Sequence, residues 1–188
     1  MSTTVRTEMP IQIQQAERFI ESPASMDRRR FIELYGGIYE HSPWVAEQLF
    51  DRGLSRHEEQ LDGMADALSA VVDEAGKASQ LELLCAHPDL AGRAALAGDL
   101  TAVSSGEQSG AGLDHCSQEE LEEFRYLNRR YQAKFGFPFI VAVKGLDRQQ
   151  ILECFRRRLD NGGKEEYCTA LIEVHKIARL RLKELCDG

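Results

Sequence analysis

The sequence predicts an all-α protein, a single-domain helical bundle of about seven to nine helices. Apolar residues recur three and four positions apart along most of the chain, which is the spacing of one helix face. Apolar and polar residues alternate nowhere for more than a few positions, as a half-buried strand would require. The length of 188 residues allows one substantial core. We expect residues 1–10 to form a flexible N-terminal tail and residues 11–188 to form one domain.

The first part of the chain predicts three helices. The segment DRRRFIELYGGIYEHSPWVAEQLF divides into two short helices at Gly36 and Gly37. Pro43 is expected at the first position of the second helix, where its missing N–H costs nothing. A longer amphipathic helix follows in RHEEQLDGMADALSAVVDEA and should end near Gly76.

The segment LELLCAHPDLAG predicts a helix that ends at a histidine. The residue before a proline is disfavoured in the α conformation, so this helix should stop at about His87. Pro88 and Asp89 then suit the first turn of a new helical segment. The imidazole is thereby held at a junction between two elements.

The second half predicts three strong helices and two ambiguous segments. AVSSGEQSGAGLDHC is a loop or a short helix within a loop. Ser117 and Glu120 form a capping box for a helix that should end before Gly136. PFIVAVKG is either a short strand or an extended segment that crosses the core. DRQQILECFRRRLDN and KEEYCTALIEVHKIARLRLKEL complete the set as helices.

Charge and composition argue against several classes of protein. The formal net charge of −8 does not suit a general nucleic-acid binder, which needs a clustered positive surface. The sequence has no zinc-ligand pattern such as HExxH, and we expect no metal and no cofactor. It also lacks a GxSxG nucleophile motif and the GK[ST] of a phosphate-binding loop.

The expected location is the cytoplasm. No run of eighteen apolar residues suggests a membrane span, and the first residues lack the apolar region of a secretory signal. The last residues carry no Ser-Lys-Leu peroxisomal address. The five cysteines are odd in number and widely spread, which indicates reduced thiols.

His87 is the histidine that the local sequence singles out. It is either a catalytic acid or base, or a capping or core residue. The other histidines are assigned structural or solvated positions: His41, His57 and His115 at the surface, and His175 at the rim of the last helix's apolar face.

Arg181 is a second candidate because it falls within the apolar arc of the last helix, whereas Arg179 and Lys183 fall outside it. A buried charge must be paired or must meet a ligand. Arg181 is therefore either ion-paired with Glu107 or another acid, or it clamps an anionic ligand. A junction histidine, a loop glutamate and an inward arginine would suit a cofactor-free enzyme of undetermined class.

Four blocks of the sequence together resemble one family. GGIYEHSPWVAE, HPDLAGRAALAGDLTAVSSGEQSGAGL, FGFPFIVAVKG and IARLRL are similar to the decarboxylases that act on 2-oxo-4-hydroxy-4-carboxy-5-ureidoimidazoline (OHCU) in uric acid breakdown. The blocks run from about Gly36 to Leu182, which is most of the chain. The resemblance implies an all-α, cofactor-free and homodimeric enzyme that releases CO2 and gives (S)-allantoin.

The resemblance also assigns roles to residues of this chain. It implies that His87 is the catalytic acid/base, that Glu107 assists it, and that Arg181 holds a carboxylate or the ureido group. The remaining implied substrate-binding residues are Pro88, Ser104, Ser105, Gly106, Gln108, Phe139, Ile140, Val141, Ala142 and Val143. The rival interpretations are a non-catalytic helical module that binds a partner protein and a different purine-pathway enzyme, such as a 5-hydroxyisourate hydrolase.

Overall fold

The computed structural model describes residues 17–91 and 101–186, and these form eight α-helices with no strand. The helices are α1 Arg28–Tyr35, α2 Trp44–Arg52, α3 Leu61–Glu74, α4 Gly76–Cys85, α5 Ala102–Gly110, α6 Gln118–Phe135, α7 Arg148–Arg158 and α8 Gly163–Lys183. The all-α prediction is confirmed. Short 3₁₀ helices lie at Pro23–Ser25 and Leu113–His115. The predicted tail at residues 1–10 lies outside the described residues.

The core is built around α3 and α8. The α3 helix packs against α2, α4 and α8, and α8 also packs against α4 and α6. Each buries one apolar face, with Met64, Leu68 and Val71 on α3 and Val174 and Leu182 on α8. None of the described helices is long and apolar enough to cross a membrane.

The predicted helix boundaries are confirmed where capping residues determine them. Ser117 accepts from the backbone N–H of Glu120, and the Glu120 carboxylate accepts from that of Ser117, which completes the capping box of α6. The helix ends at Gly136, whose φ of 81° is the left-handed conformation that glycine adopts at no steric cost. Pro43 is the N-cap of α2 and not its first helical residue, as had been predicted, because a turn from Ser42 to Val45 precedes the helix.

The junction at His87 differs in part from its prediction. The α4 helix ends at Cys85, close to the expected position. Pro88 and Asp89 do not begin a helix, so that expectation was wrong. Side chains instead hold the backbone that follows: Asn128 donates to the Leu90 carbonyl, and the Ala91 N–H donates to Gln108. These bonds hold Leu90 and Ala91 against α6 and α5.

The segment at 138–143 is extended but belongs to no sheet. Of the two predictions for it, a short strand or an extended segment, the second is the one observed. Charged side chains bond two of the segment's backbone groups, since these have no partner strand. Arg158 donates to the Ile140 carbonyl at 2.6 Å, and the Ala142 N–H donates to Glu173 at 2.9 Å. Arg158 is in turn ion-paired with the fully buried Glu166.

Candidate active site

A cavity of about 520 Å³ lies between the His87 junction, α5, the extended segment and the C-terminal half of α8. Four separate parts of the sequence meet there. The lining residues are His87, Pro88, Leu90, Ala102, Val103, Ser104, Gly106, Glu107, Gln108, Gly110, Phe139, Ile140, Val141, Ala142, Val143, Lys144, Gly145, Ile177, Leu180, Arg181 and Glu184.

The His87 imidazole has one nitrogen engaged and one without a partner. Nδ1 lies 3.0 Å from the Leu83 carbonyl oxygen, and because a carbonyl only accepts, Nδ1 carries the proton. Nε2 is therefore the lone-pair nitrogen when the ring is neutral. It is buried and has no hydrogen-bond partner among the described residues.

Burial lowers the pKa of His87, because desolvation disfavours the imidazolium. The bond to Leu83 and the charge of Glu40 act in the opposite direction without cancelling this effect. At neutral pH the ring is thus uncharged, and Nε2 is available as a hydrogen-bond acceptor and a base.

Arg181 is buried and ion-paired on two sides. Its Nε and Nη2 donate to the two oxygens of Glu107 at 2.7 and 2.8 Å, in the bidentate arrangement that guanidinium favours. Its Nη1 lies 2.7 Å from Glu40, and Nη2 also donates to Ser104. The ion-pair alternative for Arg181 is thus the one observed, and Glu107 is its predicted partner. In this arrangement the guanidinium is not an open anion clamp.

Glu40 is a site residue that the sequence did not identify. In the structure its side chain is only 2% exposed. It accepts from Thr101 at 2.7 Å and pairs with Arg181. Burial acts to raise the pKa of Glu40, but the hydrogen bonds and the charge of Arg181 outweigh it and hold that pKa below its usual value. Glu40 lies in an irregular turn between α1 and α2, so no helical periodicity marked its side chain as buried.

Most of the sequence-predicted residues line the cavity. The lining positions on α5 extend around most of the helix and leave out the sector that contains Ser105, and all five residues from Phe139 to Val143 contribute. Ser105 is the exception: it is exposed and lies outside the lining, because neighbouring helix positions point about 100° apart. Lys144 and Glu184 line the cavity but had not been singled out.

The remaining histidines occupy the positions expected of them. His41, His57 and His115 are exposed. His175 is half-buried, with Nδ1 at 2.8 Å from the Tyr39 hydroxyl and Nε2 at 3.3 Å from Asp73. Within residues 17–91 and 101–186, no three His, Cys, Asp or Glu side chains are grouped so that they could hold a metal ion.

Comparisons with known proteins agree on one family. The family profile described as OHCU decarboxylase matches residues 24–183. A curated protein of Haloferax volcanii, named 2-oxo-4-hydroxy-4-carboxy-5-ureidoimidazoline decarboxylase, is 42% identical over 159 residues, which cover 85% of this chain and 90% of that protein. A protein of the same name from Halalkalicoccus jeotgali is 40% identical over 166 residues, covering 88% and 90%.

A solved structure shows the same fold. The crystal structure titled (S)-allantoin synthase superposes with a TM-score of 0.71 at 34% sequence identity. The match covers 88% of this chain, which spans 52% of that one.

Proposed function

Because this chain belongs to the OHCU decarboxylase family, we propose that it converts OHCU to (S)-allantoin and CO2, as a carboxy-lyase of urate breakdown. The relatives' names supply the substrate and the reaction. The observation that carries the proposal within the site is the neutral His87. Its Nε2 has no hydrogen-bond partner among the described residues and lies beside a cavity with mainly apolar walls. A base of this kind suits a reaction in which protons must be moved without water.

The substrate itself provides the electron sink. When the bond between ring carbon C4 and the carboxylate breaks, CO2 leaves, and the electron pair forms a C4=C5 double bond. The electrons of the adjoining imine move to its nitrogen, which takes up the one proton that the overall reaction consumes. The product of this step is an enol that still carries the 4-hydroxyl group, so no cofactor is required to hold the charge.

His87 then completes the reaction by moving a proton. Its Nε2 accepts the proton of the 4-hydroxyl as the enol becomes a carbonyl, and the resulting imidazolium delivers a proton to C5. Delivery from one wall of the cavity would set the configuration of (S)-allantoin. Burial favours the return of His87 to its neutral form.

The other lining residues orient the substrate in this proposal. Glu107 faces the cavity while Arg181 holds both of its oxygens, so Glu107 can fix a substrate N–H in a defined direction. Pro88, Gly106 and Gln108 contribute the facing wall, and Ser104 the adjoining polar position. Phe139–Val143 provides the apolar wall and backbone groups for the ring and ureido group.

Freshly generated OHCU tests the proposal when its ultraviolet loss is followed together with the circular dichroism of the product. Spontaneous decay gives racemic allantoin, so the wild type should accelerate decay and give an excess of the S enantiomer. His87→Asn should lower this rate by about 100-fold or more. Asparagine is chosen because its amide can still donate to the Leu83 carbonyl, which preserves the fold at the junction.

The matched control is His115→Asn, since His115 is exposed in a 3₁₀ helix outside the cavity lining. It should retain the wild-type rate. Near-normal formation of (S)-allantoin by a folded His87→Asn variant would refute the role of His87. Racemic product at the spontaneous rate from the wild type would refute the decarboxylase function.

Assembly, location and domain organisation are proposed on the family resemblance. We infer a homodimer in the cytoplasm and a single domain over residues 11–188. A continuous core shared by all the described helices except α5 supports the single domain. Light scattering on the full chain would measure the mass in solution, and a monomer at micromolar concentration would contradict the dimer.

A further inference from the structure

The cavity presents a problem for an anionic substrate. Arg181 donates from Nε and Nη2 to Glu107, from Nη2 to Ser104, and from Nη1 to Glu40 and the backbone carbonyls of Gly37 and Ile38. Its donors are therefore engaged by the protein itself. Two carboxylates around one guanidinium leave a net formal charge of −1 beside the neutral His87. A carboxylate that entered this part of the cavity would be repelled.

Lys144 is the other cationic residue among the described residues that line the cavity. It follows the buried Val143 at the end of the extended segment, in a turn closed by a 2.9 Å bond from the Leu146 N–H to the Val143 carbonyl. Gly145 has the positive φ of 83° that a type II turn requires at that position. The backbone of Lys144 is thus fixed by the turn.

The Lys144 side chain itself is weakly held. It is 61% exposed, and its ammonium lies 3.9 Å from a carboxylate oxygen of Glu184, which is 66% exposed. Exposed ion pairs of this length contribute little, because water screens the charges and both side chains lose freedom. A carboxylate ligand can therefore displace Glu184 at small cost. Displacing Glu40 from Arg181 would leave a buried carboxylate unpaired, and displacing Glu107 would break a bidentate pair with the buried guanidinium.

We propose that the Lys144 ammonium binds the carboxylate of the substrate and selects a carboxylated ring over its neutral product. This inference rests on the proposed decarboxylase function. The carboxylate would face the mouth of the cavity, where CO2 can leave, while the ring would reach His87 and Glu107. Glu184 lies beside Lys144 and competes with the substrate for it.

The chemistry predicts which kinetic constant Lys144 controls. The charge of the carboxylate moves into the ring as CO2 forms, so its attraction to Lys144 weakens on the way to the transition state. Lys144 therefore contributes to ground-state binding, and its loss should raise KM without lowering kcat. A merely structural defect in the cavity wall would instead affect kcat and the binding of neutral ligands as well.

The test compares Lys144→Gln, Lys144→Arg and Glu184→Gln with the wild type in steady-state kinetics on freshly generated OHCU. We expect Lys144→Gln to raise KM by roughly two- to fivefold, since the ammonium is partly screened by water, with kcat retained. Lys144→Arg should restore KM to near the wild-type value. Glu184→Gln should lower KM by about twofold, because the competing carboxylate is removed.

Two further measurements separate charge recognition from structure. The KM of the wild type should rise with ionic strength, and Lys144→Gln should lose most of this dependence. Inhibition by allantoin, which carries no carboxylate, should be the same in both proteins. Lys183→Gln is the matched control, since Lys183 is an exposed α8 lysine paired with Glu17 outside the cavity lining and should behave as the wild type does.

If the wild type makes (S)-allantoin and Lys144→Gln has an unchanged KM, the role of Lys144 is overturned and the proposed function stands. Equal weakening of OHCU and allantoin binding would also overturn it, because the effect would then come from a displaced wall. A wild type without any excess of (S)-allantoin would remove the proposed function and this inference together.

Discussion

Replacing Arg158 by methionine should destabilise the protein severely. The substitution would leave the negative charge of Glu166, which has no access to water, without its positively charged partner. The Glu166 side chain is completely buried, and it receives hydrogen bonds from Arg158 at 2.7 Å, from Asn161 at 2.7 Å and from the Tyr131 hydroxyl. Arg158→Met removes the only one of these three partners that carries a positive charge. The Ile140 carbonyl loses its donor at the same time.

The expected magnitude follows from that geometry. Removing one member of a buried ion pair costs about 3–5 kcal/mol in the free energy of unfolding, since the other charge stays buried. For a chain of this size, 1 kcal/mol corresponds to about 2–4 °C in Tm, so the melting temperature should fall by roughly 6–20 °C. Adding Glu166→Gln should recover much of the loss, because the orphaned charge disappears while the amide oxygen can still accept from Tyr131.

Urea unfolding followed by far-ultraviolet circular dichroism measures both variants against the wild type. The reasoning requires the double variant to be more stable than Arg158→Met alone. A single variant that loses less than about 1 kcal/mol, or a double variant that loses as much as the single one, would show that Glu166 is not a buried charge in need of Arg158.

Two further predictions concern the site. The acid limb of the pH profile of kcat/KM should lie below pH 6.5, the ordinary pKa of histidine. Burial lowers the pKa of His87, so protonation of Nε2 requires a more acidic solution. An inflection at or above pH 6.5 would contradict this expectation. Glu173→Gln should keep KM near the wild-type value, because its amide oxygen can still accept from the Ala142 N–H, whereas Glu173→Ala should raise KM by roughly two- to tenfold. Equal KM values for the two variants would show that this hydrogen bond does not position the wall.

The fold could be predicted from the sequence where local signals act alone. Ser117 and Glu120 define the start of α6 by a bond between neighbours in the chain, and Gly136 defines its end by its own conformation. The junction after His87 was predicted less well, since Asn128 and Gln108 determine its course from distant positions. The proline rule correctly ended α4, but it could not show whether a helix begins at Pro88.

The candidate site, too, could be predicted only where the local sequence determines the direction of a side chain. Arg181 could be predicted as inward-facing, because its position on a regular helix fixes its direction. Its pairing with Glu107 was one of the alternatives considered. Glu40 could not be found, because it lies in an irregular turn whose side-chain directions depend on tertiary packing. Lys144 was overlooked for a related reason, since an exposed lysine after an apolar run has many ordinary explanations.

The contacts of Arg181 also bear on the order of folding. This one guanidinium joins α8 to the Gly37 carbonyl, 144 positions earlier in the chain, and to Glu107, 74 positions earlier. Such distant contacts carry the largest loop-closure entropy and favour late formation. During synthesis, the preceding helices can collapse before α8 emerges, but Glu40 and Glu107 then face each other without their shared cation. We therefore expect catalytic competence to arise in the last stage of folding, when α8 docks.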